Sequence, residues 1–77
     1  MYIYFYLLDR RCSGGYRRDC IYASNYREAY IMVSRLINRM KTRQVQLVSD
    51  GGVAREFISF DELEARYRRD PDGTLNS

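Results

Sequence analysis

Residues 25–41 read NYREAYIMVSRLINRMK. Ala29, Met32, Val33, Leu36, Ile37 and Met40 recur there at i, i+3, i+4, i+7, i+8 and i+11, which is one apolar stripe on a helix turning ~100° per residue. Asn25 can cap the first turn, and Glu28, three residues on, can return a bond to the cap backbone. The spacing predicts one long amphipathic helix, and the rest of the chain has to cover its stripe.

Working outward, residues 2–8 are apolar or aromatic on both parities, with Ile3, Phe5 and Leu7 on one side and Tyr2, Tyr4, Tyr6 and Leu8 on the other, as in a central strand. Gly14-Gly15 offers the positive φ angles of a tight turn, and residues 16–23 return as a second strand. A turn centred on these glycines would pair Cys12 with Arg17 and Cys20 with Asp9, which predicts free thiols. After the helix, Val45 and Leu47 alternate with Gln44 and Gln46 as in a half-buried strand. Asp50-Gly51-Gly52 is a second hairpin signal, and a three-residue loop there would set Val45 opposite Phe57. Ser59 with Glu62 forms a capping box, and Ile58 with Leu63 has the spacing of a hydrophobic staple. A short helix therefore begins near Phe60, carries Phe60, Leu63 and Tyr67 on its apolar side, and stops at Asp70-Pro71-Asp72-Gly73.

The order read is ββαββα, an α+β fold: a four-stranded, mainly antiparallel sheet with the long helix on one face and a short C-terminal helix. One domain over residues 1–70 and a flexible tail over 71–77 are expected. The 77 residues sit near the lower size limit for an unaided core. Two cysteines and no histidine give neither a disulfide framework nor a zinc set, so no metal and no cofactor is expected and a reduced, cytoplasmic setting is the default. The apolar start is too short to span a bilayer and runs straight into Asp9, Arg10 and Arg11, so no signal peptide, anchor or membrane partner is expected.

The net charge of +3 is unevenly spread: residues 1–43 hold nine cations against three acids, and the remainder four against seven. Twelve of the thirteen cations are arginine, which forks onto carboxylate or phosphate and stacks on rings more readily than lysine. Arg10, Arg11, Arg17 and Arg18 flank the first turn and would form a basic prong for phosphates or for an acidic protein surface. The plainer reading is a solvated turn with local ion pairs worth about 0–1 kcal/mol each. Eight tyrosines are many for so short a chain. Tyr2, Tyr4 and Tyr6 share a face that could stack single-stranded bases, pack beneath the second helix or close a homodimer. The element order departs from the βαββαβ of the RNA-recognition motif. Ile31 projects away from the stripe, and Tyr30 beside it would complete a second contact patch.

No nucleophile has a histidine base and no glycine-rich phosphate loop is present, so no catalytic residue is expected. These features fit a non-catalytic inhibitor or adaptor, a class that viruses and mobile elements encode, occupying a surface of a protein or nucleoprotein partner. Weak contact with nucleic acid could accompany that role; a direct nucleic-acid-binding module using the sheet tyrosines and the Arg-rich hairpin is the alternative, and a structural homodimer the third reading.

Overall fold

The structure, a computed structural model, describes residues 1–11 and 13–75. Pairings expected of Cys12, and the extreme C-terminal residues 76–77, lie outside the described residues. β1 (Tyr2–Leu8) and β2 (Tyr16–Tyr22) form the first hairpin, α1 (Tyr26–Ser34) is followed by a 3-10 turn at Ile37–Arg39, and β3 (Gln44–Val48), β4 (Arg55–Ser59) and α2 (Phe60–Arg69) complete the fold. The strands make one antiparallel sheet in the order β2-β1-β3-β4, with β1, apolar on both parities, in the interior.

Both helices contribute to the core on one side of the sheet. Ile3, Phe5 and Leu7 of β1, Val45 and Leu47 of β3 and Ile58 of β4 are buried with Tyr26, Ala29 and Val33 of α1 and Leu63 of α2. Each helix starts as its sequence dictates: Asn25 Oδ1 accepts from the Glu28 N–H at 2.9 Å, and Ser59 Oγ accepts from that of Glu62 at 3.1 Å. Glu28 returns its bond one residue before the cap, accepting from Ser24 N at 2.8 Å. Two further α1 donors find partners far along the chain: Tyr26 N and Arg27 N donate to the carbonyls of Gly73 (2.8 Å) and Pro71 (3.0 Å).

The expected long helix is cut short. α1 ends at Ser34, whose hydroxyl turns back to the Ile31 carbonyl at 2.8 Å, and the following bonds tighten to i→i−3. The chain needs this length to return: Met40 is already extended and bridges Leu7, and Lys41 N donates to Tyr6 O. The stripe is therefore only partly core. Ala29 and Val33 are buried, Leu36 and Met40 lie partly buried against the core, and Met32 is exposed.

Both hairpin registers also differ from expectation. Tyr16 lies opposite Leu8 and Cys20 opposite Tyr4, so the first loop is wide, closed by Asp9 N to Gly15 O at 2.8 Å with Gly15 at φ +76. This register places Ile21 beside Ile3 on the core side, which a turn centred on Gly14-Gly15 would not do. In the second hairpin Val45 faces Ile58, not Phe57. The turn is one residue longer than the three-residue loop, because buried Ser49 organises it: Ser49 N donates to Ala54 O, and Ser49 Oγ accepts from Ala54 N at 3.0 Å.

α2 is held by Arg66, whose guanidinium is largely buried. It forks onto both carboxylate oxygens of Glu56 on β4, donates to Glu62 at 3.1 Å and reaches the Tyr26 hydroxyl at 3.5 Å. The hydrogen bond from Arg66 holds the Glu56 carboxyl below its usual range. Among the described residues no helix is long and apolar enough to cross a membrane.

Candidate binding surface

With both helices on one side, the opposite face of the sheet stands open, and strand alternation decides what it displays. Across the strands run Tyr22–Tyr2–Val48–Arg55, then Cys20–Tyr4–Gln46–Phe57, then Arg18–Tyr6 and Tyr16–Leu8. Tyr2, Tyr4 and Tyr6 thus share one face as their spacing predicts, and Tyr16, Tyr22 and Phe57 join them. Phe57 is 74% exposed, Tyr6 51% and Leu8 50%, so none of the described residues covers these side chains.

The rings are ordered by one another and by cations. Tyr2 and Tyr22 meet edge to face at 5.1 Å. The Arg18 guanidinium lies 4.5 Å from the Tyr4 ring centre and donates to Gln46 Oε1 at 3.1 Å, while Lys41 reaches over the Tyr16 ring at 4.7 Å. A shallow groove of about 410 Å³ runs between Tyr4, Tyr6 and Phe57, with Arg18, Gln46 and Arg55 on its walls. Asp50 stands at one corner, accepting from the Tyr22 hydroxyl at 3.3 Å and pairing with the Met1 amino group at 2.8 Å. Hydrogen bonding from that amino group lowers the Asp50 carboxyl, and the Asp50 charge in turn pushes the Tyr22 phenol up. The Cys20 thiol beside Tyr4 pushes that phenol up too. Both phenols are therefore neutral at pH 7, and Arg18, Lys41 and Arg55 make the surface positive.

The other residues singled out from sequence are scattered. Arg18 belongs to the aromatic face, but Arg17, one residue away, points to the other side and stands 3.5 Å from both Asp9 and Asp19. Arg10 and Arg11 are exposed in the wide first loop and line one groove with Arg17, so the four arginines do not form one prong: Arg18 stands apart from the other three. Tyr30 is half-buried: its ring lies flat between Phe60 (5.4 Å) and Tyr67 (4.8 Å), cementing α1 to α2. Ile31 is exposed on α1, on the helical side of the sheet and apart from the tyrosines. Phe57, Tyr16, Arg55 and Gln46 were not expected on this surface. The signal for Phe57 lies in the staple, because turning Ile58 inward toward Leu63 turns its neighbour outward.

Compared with known proteins, the chain matches no family model, no curated protein and no solved structure.

Proposed function

We propose that this chain is a small non-catalytic binding protein of inhibitor or adaptor type, which docks the open face of its sheet onto a partner protein, alone or within a nucleoprotein. One observation carries the reading: both helices pack on the same side, leaving five exposed aromatic rings, Tyr2, Tyr6, Tyr16, Tyr22 and Phe57, on the other side with no described element packed over them. Isolated exposed apolar residues are ordinary, whereas a contiguous patch of rings marks a contact surface. Tyrosine and arginine dominate the energetics of such surfaces, because each offers a large contact area with a polar tip. The charge pattern favours one class of partner. Tyrosine rings and Phe57 occupy the centre, and Arg18, Lys41 and Arg55 surround it, so the complementary patch has an apolar middle and an acidic rim.

A second reading, direct binding of single-stranded nucleic acid, is favoured by the groove itself. Tyr4, Tyr6 and Phe57 supply stacking surfaces, Gln46 an amide for base edges, and Arg18 and Arg55 charges for phosphates.

The test places a photo-crosslinking side chain at Phe57 or, as a control, at Ile31, in a lysate of the native host. A protein adduct is expected from position 57 alone, competed by unlabelled wild type but not by Tyr6→Ser/Phe57→Ser. Equal adducts from both positions would remove the open face from consideration. Oligonucleotide binding that persists at physiological salt in fluorescence anisotropy, and is lost in Phe57→Ala, would put nucleic acid first. A dimer seen by light scattering and dissociated by Phe57→Arg would give the face to a second copy of the chain.

A further inference from the structure

At the end of the sheet, off the aromatic face, the first loop and the 3-10 turn enclose a separate groove of about 330 Å³, lined by Leu8, Asp9, Arg10, Arg11, Arg17 and Arg39. Four arginines and one aspartate thus line it. Asp9 is already engaged, accepting from Arg11 N at 3.0 Å through one oxygen and standing 3.5 Å from Arg17 through the other. Arg17 shares its charge with Asp19 as well. Arg10, Arg11 and Arg39 have no ion-pair partner among the described residues.

We propose that this groove binds a compact, multiply charged phosphate, of the pyrophosphate type found free or at the end of a nucleotide. Three uncompensated guanidiniums brought together by the fold repel one another, and an anion between them removes that repulsion. A single carboxylate supplies one charge for three cations, whereas two linked phosphates supply two or more, with oxygens for several forks at once. The volume also matters. A nucleic-acid backbone spreads its charges along a track, whereas here the arginines line one small groove. Asp9 has a positioning part: by holding Arg11 N and Arg17 together it fixes the loop that presents the other arginines.

The experiment titrates the protein with sodium pyrophosphate, ATP, inorganic phosphate and glutamate at matched ionic strength, by calorimetry and by amide NMR shifts. Pyrophosphate and ATP are expected to bind at least tenfold more tightly than phosphate, with shifts at residues 8–11, 17 and 39 and not at Tyr2 or Phe57. Pyrophosphate binding without ATP binding selects the free anion as the source, and comparable binding of both selects a terminal phosphate pair. Arg39→Gln is expected to weaken binding at least tenfold and Arg39→Lys severalfold, through loss of the fork. Arg35→Gln, exposed outside the groove, is expected to leave binding unchanged. Arg10→Gln repeats the test should Arg39→Gln unfold. Glutamate binding as tightly as pyrophosphate, equal loss in Arg35→Gln and Arg39→Gln, or shifts confined to the aromatic face would each overturn the proposal.

Discussion

Replacing Phe57 and Ile58 by alanine, one at a time, reads out the register of β3 against β4. Phe57 is 74% exposed, so only about a quarter of a side chain that buries at most roughly 150–250 Å² is covered. At ~25 cal/mol per Å² its removal costs about 1 kcal/mol. Ile58, 5% exposed in the shared core, loses its buried methylenes and leaves a cavity, a change that costs about 2–5 kcal/mol. A chain of this size holds about 4–12 kcal/mol of total stability at ~0.05–0.15 kcal/mol per residue, so Ile58→Ala spends a large share of it. Both alanines carry a similar loss of strand preference, which cancels in the comparison. Urea unfolding followed by far-UV circular dichroism measures the two free energies. Equal costs, or a larger cost for Phe57→Ala, would refute the register and with it the composition of the open face.

Tyr30→Ala is expected to destabilise by about 1–3 kcal/mol, since two stacked ring pairs are lost between the helices; melting curves measure it, and a surface-like effect would contradict the stack. Asn25→Ala removes the α1 cap and is expected to cost about 1 kcal/mol in urea unfolding, with Asn25→Ser recovering most of it. Glu56, held below the usual carboxylate range by Arg66, contributes stability that is present above the unfolded carboxyl pKa and is lost as pH falls through the lowered folded value. Wild type is therefore expected to lose stability on acidification from about pH 5 to pH 3, and Glu56→Gln to show a flatter dependence over that window.

Much of the architecture was legible because it is written in short-range chemistry. The caps at Asn25 and Ser59, the alternation of Ile3, Phe5 and Leu7 against the tyrosines, and the α+β order are all local signals, and each appears where the residues place it. The length of α1 was not local. Nothing between Ser34 and Met40 breaks a helical period, and the helix stops because the chain must turn there to bridge Leu7 and enter β3. Hairpin registers were hidden for a related reason. Glycine pairs advertise a turn but not its width, which Ser49 sets through its hydroxyl in one case and Gly15 closes through its carbonyl in the other. Within the candidate surface, the β1 tyrosines could be read from parity alone. Phe57 required the register, Arg17 and Arg18 had to be parted by strand alternation, and Tyr30 became a cement only once Phe60 and Tyr67 lay across from it.

The carbonyls of Pro71 and Gly73, which accept from the first N–H groups of α1, have a bearing on how the molecule comes into being. A ribosome releases β1, β2 and α1 early, and the hairpin can close at once on neighbouring residues. α1 can wind then, but two of its first donors meet only water until their acceptors, made after α2, arrive. Until residues 71–73 emerge, the nascent helix keeps those groups in water. The start of α1 is thereby completed by the segment that follows α2, so a local element depends on a partner more than forty residues along the chain.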